Sequence, residues 1–199
     1  MNAVDSIDKR RARVAGALVA VALLLLPVRV CFASRIEGVD FADRVSVGGV
    51  DFKLNSVALL RYMVFIKAYV GGLYLGPGAD PQSILADTPK RLEISYFWEI
   101  SAEDFQSATR EAILRNIGQA RYAKISASVD QFNALYKTVK PGDRYALTYV
   151  PGVGTELALN GKPLGTVPGA EFSAGVFSIW FGDEEVDSDF KEALLAKKR

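Results

Sequence analysis

The run Leu59–Leu75, LLRYMVFIKAYVGGLYL, constrains the fold of this chain more than any other stretch. As a helix, seventeen residues reach only about 26 Å, short of the roughly 30 Å hydrocarbon core of a bilayer, and its interior Arg61 and Lys67 would each cost about 3 kcal/mol there. Alternation suits it better. From Tyr62 one parity reads Tyr62, Val64, Ile66, Ala68, Val70, Gly72 and Tyr74, without a charge, and the other reads Met63, Phe65, Lys67, Tyr69, Gly71, Leu73 and Leu75. This period of two predicts a strand, with a bulge or bend at Gly71-Gly72, because a straight strand of such length is unusual.

Strand patterns continue on both sides. In VSVGGVDFKL, Gly48-Gly49 separates two alternating segments as a hairpin turn does. In RLEISYFW, the apolar Leu92, Ile94, Tyr96 and Trp98 alternate with Arg91, Glu93, Ser95 and Phe97, and GPGADPQSILADTPK between the two strands is rich in turn formers. At Ser101 the period changes. Ser101 and Asp104 form an N-capping pattern, and Phe105, Ala108, Ala112 and Ile113 recur at helical spacing, which predicts a helix to about Asn116. A second helix is expected from about Ser126 to Val139, where Val129, Phe132, Tyr136 and Val139 form a stripe before Pro141-Gly142. Strands return with turns at Pro151–Gly154 and Asn160-Gly161, and EFSAGVFSIWFG and DSDFKEALLAKK are expected to close the chain as helices.

The N-terminus reads differently. Lys9, Arg10, Arg11 and Arg13 precede an apolar run from Val14 to Pro27, and Cys31-Phe32-Ala33 supplies the small-residue cleavage pattern of a secretory signal peptide, cut after Ala33. An uncleaved anchor and a lipoprotein leader acylated on Cys31 are the rival readings. Removing residues 1–33 takes five of the 24 Lys and Arg and two of the 23 Asp and Glu, leaving 19 against 21 and a formal charge of −2. Residues 34–199 then form one domain, expected in the periplasm, with no membrane span and no basic footprint for nucleic acid.

The chain has no histidine, and its single cysteine lies in that leader. A thiol nucleophile, a Ser-His dyad, a disulfide, and the usual zinc and haem sites are thereby excluded from residues 34–199, and no cofactor is expected. Proton transfer would fall to Asp, Glu, Tyr, Lys or water. Two further signals carry little weight: GVGTEL leads into a strand and lacks the third glycine of a dinucleotide loop, and GDEEVDSD lacks calcium-loop spacing and more simply caps the last helix. The cluster of Phe172, Phe177, Ile179 and Trp180 reads as core, with room for a pocket wall.

Arg61 allows two readings: a surface guanidinium at a strand end, or a planar cation aimed into an apolar pocket to hold a carboxylate or enolate. Tyr69 can simply pack its ring, and Lys67, on the same parity, is expected either to snorkel outward or to add a second cation near a ligand.

The segments LNSVALLRYMVFIKAYVGGLYL, GDRYALTYVPGVGTELALNGKPLGTVPG and FSIWFGDEEVDSDFKEALL together resemble the chalcone isomerase-like family, specifically its secreted bacterial branch, over roughly Ile36 to Ala196. The resemblance implies an α+β fold, an open-faced β-sandwich in which a large antiparallel sheet carries a layer of helices over a ligand cleft. It also implies that Arg61 corresponds to the cleft arginine that holds substrate oxygens in the isomerases and the carboxylate in the fatty-acid-binding members. Tyr69 falls where the isomerases carry threonine and the binding members tyrosine, although the spacing from Arg61 is shorter here. Three functions follow in order: a periplasmic binding protein for a small amphipathic acid, a fatty acid or phenolic compound, held by Arg61, Tyr69 and Lys67; an intramolecular lyase of chalcone isomerase type; and a non-catalytic envelope scaffold.

Overall fold

The computed structural model describes residues 32–63 and 65–196. The expected leader lies outside them apart from Phe32 and Ala33, which open the first strand. That strand, β1 (Phe32–Ile36), pairs antiparallel with β2 (Val39–Ala42). A seven-stranded antiparallel meander follows, its spatial order equal to its chain order: β3 (Arg44–Val47), β4 (Val50–Tyr62), β5 (Ile66–Leu75), β6 (Lys90–Tyr96), β7 (Arg144–Val150), β8 (Gly154–Leu159) and β9 (Lys162–Val167). Among the described residues three α-helices accompany the sheet: α1 (Ala102–Asn133), α2 (Ala170–Phe181) and α3 (Ser188–Leu195).

Local chemistry accounts for most of these boundaries. Gly48-Gly49 and Asn160-Gly161 turn the β3–β4 and β8–β9 hairpins with positive φ at both residues, the geometry that two-residue hairpins favour. The Ser101 hydroxyl accepts from the Asp104 amide to start α1, and the Asp187 carboxylate accepts from Phe190 to start α3. α1 is broken at Gly118, whose φ of 75° and ψ of 162° leave the helical region. The first expected helix therefore ends close to its expected boundary. The second begins just after Gly118 and stops at Asn133, so Tyr136 and Val139 are buried from the following segment rather than from a helix.

The Leu59–Leu75 run departs from the expected single strand. It is a hairpin, with β4 ending at Tyr62, Met63 in the left-handed region at φ 49°, and β5 starting at Ile66. No Gly, Pro, Asn or Asp marks this turn, which is why alternation reads through it. Gly71 and Gly72 are not a bend either, since they pair regularly with Ala58 and Val57. They serve close packing: a β-carbon on Gly71 would lie 2.5 Å from the Phe190 ring, and one on Gly72 would lie 2.5 Å from the Phe41 ring. The register shifts elsewhere, at Asn55 of β4 and at Ala68 of β5.

The sheet carries a core on each face. α1, α2 and α3 cover the first, where Leu60, Leu73, Leu92, Ile94, Leu147 and Leu157 meet Ile113, Phe132, Val176 and Phe190. The β1–β2 hairpin covers the second, packing Phe41 against Phe52, Leu54, Val70 and Tyr74. All seven residues of β6 are buried, because its polar parity is also covered. There Arg91 and Arg144 both pair with Glu93 at 3.0 Å, Arg144 also donates to the Asp40 carbonyl, and its guanidinium stacks over Phe41.

Candidate functional site

A cavity of about 370 Å³ lies between the first face of the sheet and the helices. Its floor comes from the apolar parity of β6 and its neighbours: Leu92, Ile94 and Tyr96, then Tyr145 and Leu147 of β7, Leu157 of β8 and Tyr69 of β5. Its roof comes from Phe105, Ala108 and Ala112 of α1 and from Val176, Ile179 and Trp180 of α2. Alanine at positions 108 and 112 leaves the space beneath α1 unfilled, so two residues of the stripe that predicts the helix also line the cavity. The volume lies in the range of small-molecule sites.

The polar groups inside are phenols. Tyr136 and Thr109 share a hydrogen bond of 2.9 Å, and the Tyr145 hydroxyl donates to the Lys137 carbonyl while accepting from the Lys137 amide, both at 2.7 Å. The Tyr69 hydroxyl accepts from the Trp180 indole at 3.1 Å, which leaves its own proton unspent. Tyr96 is buried and packs edge-on against Tyr69 and Phe105. Among the described residues its hydroxyl has no hydrogen-bond partner. Burial pushes the hydroxyls of Tyr69, Tyr96, Tyr136 and Tyr145 above the ordinary phenol range. All four are therefore neutral donors at physiological pH, and none is poised as a base.

The rim is charged. Asp104, Glu111 and Arg115 stand along one side of α1, with Val186 among the remaining lining residues. The two acids are engaged locally, Asp104 by the Ser101 hydroxyl at 2.8 Å and Glu111 by the Ser107 hydroxyl at 3.2 Å. Arg115 is the one cation of the lining, and among the described residues it has neither an ion-pair nor a hydrogen-bond partner.

Of the three residues singled out in the sequence, Tyr69 lines the cavity and Arg61 and Lys67 do not. The reason is geometric. Leu60 faces the helices, so Arg61, the next residue, faces the hairpin side. Ala68 is the extra residue of a bulge, and Ala68 and Tyr69 both pack on the helix side, which moves Lys67 to the opposite face from Tyr69. Lys67 is bonded to Glu37, and the Arg61 guanidinium stands 3.8 Å from the same carboxylate. Sequence reasoning did not single out Tyr96 or Arg115 as site residues. Alternation does place Tyr96 with Leu92 and Ile94, and Arg115 lies seven residues beyond Ala108 on the stripe of α1, a spacing that was available to be read.

Among the described residues no group of three His, Cys, Asp or Glu is placed to hold a metal ion, and no helix is long and apolar enough to cross a membrane.

In three dimensions the chain is similar to the crystal structure of a fatty-acid binding protein of Arabidopsis thaliana. The TM-score is 0.61 at 16% identity, covering 79% of this chain and 92% of that chain, a likeness that establishes the fold. No curated protein matches the sequence. Residues 33–196 match the family described as chalcone isomerase-like, and with most of its length inside that match the chain belongs to the chalcone isomerase-like family.

Proposed function

We propose that this protein binds a small amphipathic carboxylic acid, with the apolar part in the cavity and the carboxylate at its rim. The observation that carries this reading is the cavity itself: apolar walls, a rim cation without a partner among the described residues, and phenols that can donate but are not poised to accept a proton. Arg115 takes the carboxylate, and Tyr69 and Tyr96 offer donors to ligand oxygens that reach the sheet. A rim position avoids the large cost of burying an ionised carboxylate without a cation beside it. Arg61, which the family resemblance assigns to the head group, and Lys67, singled out because it shares the parity of Tyr69, are left outside this assignment because they face the other side of the sheet. The similarity in fold to a fatty-acid binding protein supports the ligand class.

Mass spectrometry of small molecules released on denaturing the purified protein tests the reading. An amphipathic acid in near-stoichiometric amount is expected, and protein that releases none and takes up none from a fatty-acid mixture would refute it. The chemical alternative within the family is read by chalcone absorbance, which should fall no faster with the protein than without it. Placement in the periplasm belongs to the same proposal and rests on the leader. Intact mass beginning near Ser34 in an osmotic-shock fraction is expected, and a retained leader or a lipid on Cys31 would overturn it.

A further inference from the structure

The tip of the β4–β5 hairpin is apolar and uncovered. Phe65 is 87% exposed, Met63 71% and Tyr62 62%, with Ile66 beside them, and Trp98 from the connection after β6 adds a further 58%-exposed ring. Trp98 is held in place by its indole, which donates to the Lys67 carbonyl at 2.7 Å, so Glu37, Phe65, Ile66, Lys67, Phe97 and Trp98 line one recess. Elsewhere the described surface exposes large apolar residues singly, whereas here they gather on one projecting turn.

Charge sits directly below this tip. Arg61 and Lys67 are register partners at its base, and among the described residues Glu37 is the one acid paired to them. Glu37 is hydrogen-bonded to Lys67, whereas the 46%-exposed Arg61 side chain has only its 3.8 Å ion pair and makes no hydrogen bond among the described residues. Its planar set of donors is thus unspent, the arrangement that recognises a phosphate. The tip extends about two residues beyond this cationic base, roughly 7 Å at strand rise, which matches the depth at which interfacial segments bury their apolar side chains. Tyr62 and Trp98 stand near the base, where amphipathic rings favour the boundary between headgroups and chains.

We propose that this hairpin tip docks on a phospholipid bilayer, with Phe65 and Met63 entering the acyl boundary and Arg61 meeting lipid phosphate. The inference does not depend on what fills the cavity. Glu99, next to Trp98 in the chain, offsets part of the positive charge, so the apolar tip carries most of the binding and preference for anionic lipid is modest.

Vesicle co-sedimentation tests it, using the protein as recovered from its producing cells with the N-terminus read by intact mass, so that wild type and variants are compared in the same processed form. Phosphatidylcholine vesicles should bind it, and vesicles that also contain phosphatidylglycerol should bind it about fivefold more tightly. Phe65→Ser and Met63→Ser should each weaken partitioning about tenfold, and Arg61→Gln about fivefold on the anionic vesicles, with melting temperatures unchanged because these side chains are exposed. The Trp98 emission should shift to the blue on binding, and the shift should vanish in Trp98→Ser. Absence of vesicle binding, or equal binding by wild type and Phe65→Ser, would overturn the proposal. So would a concentration-dependent dimer that Phe65→Ser dissociates while vesicles leave it unaffected, since the tip would then be covered by a second copy of the chain.

Discussion

The two faces of the sheet are built from the same strands and end in opposite states. On the hairpin side, Phe41 lies so close to Gly72 that no β-carbon fits between them, and the charges of β6 and β7 are consumed by one another and by the Asp40 carbonyl. On the helix side, the same β6 faces a cavity in which, among the described residues, two phenol protons lack an acceptor and the rim arginine lacks a partner. The difference teaches where function is to be sought. Close packing and mutual ion pairs beneath the two-stranded hairpin leave no room for a ligand there, whereas the face roofed by helices with alanine at the contact retains a cavity with unspent donors.

This contrast is broken most severely at Phe41. Phe41→Ala should cost about 3–5 kcal/mol in urea unfolding, the range for emptying a buried aromatic site, while ligand affinity of the remaining folded protein stays unchanged. If ligand affinity collapses with it, the two faces are coupled and the separation fails.

The helix side also has a closed end, and pH sharpens the comparison there. Lys90 is fully buried, donates to the Ala86 and Thr88 carbonyls, and lies over the Tyr149 and Phe177 rings. Burial pulls its ammonium down from the ordinary 10.5 to about 8, against the opposing effect of Asp87. Between these values the unfolded chain holds a proton that the folded chain has released, so stability rises with pH from about 8 and the gain is lost on returning below it. The phenols, with folded values raised above the ordinary 10.0, act in the opposite sense and reduce stability as pH rises beyond 10. Unfolding free energy should thus gain on the order of 2 kcal/mol between pH 8 and 10, and Lys90→Met should flatten that rise. A wild type with no rise in that window would show Lys90 charged or hydrated in the folded state.

Two smaller effects separate the site from its surroundings. Arg115→Gln should weaken fatty-acid binding about tenfold, as expected for loss of a partly exposed charge-assisted contact, and Arg61→Gln should leave it unchanged. The reverse order would return the head group to the position implied by family resemblance. Tyr96→Phe should cost about 0.5–1.5 kcal/mol of affinity for a ligand with an oxygen near the sheet and almost nothing in stability, since that hydroxyl has no partner to lose among the described residues.

Much of this fold is legible in the residues. The glycine and Asn-Gly turns, the capping serine of α1 and the capping aspartate of α3 each act locally and appear where the pattern predicts them, and the alternating face of β6 does so as far as Tyr96, whereas Trp98, read as its next member, lies beyond the strand and is exposed. Long-range packing is what the sequence conceals. Gly71 and Gly72 read as a bend because their reason, the Phe190 and Phe41 rings, lies more than a hundred residues downstream in one case and in another hairpin in the other. The site suffers more from this than the fold does. One extra residue at Ala68 reverses the face of Lys67 relative to Tyr69, and a turn without turn residues hides the exposed tip between them. The parity that identifies a strand cannot, after a bulge, identify which side its charges face.

The central claim is that an alkyl chain occupies the cavity beneath α1. Calorimetry of delipidated protein with straight-chain fatty acids of increasing length, on wild type and on Ala112→Phe, tests it most directly. The account predicts affinity rising by about 0.8 kcal/mol per added methylene until the cavity is full, then levelling, with uptake abolished when the phenylalanine occupies the space. Affinity independent of chain length, or equal in wild type and a folded Ala112→Phe protein, would place the ligand elsewhere and contradict the account.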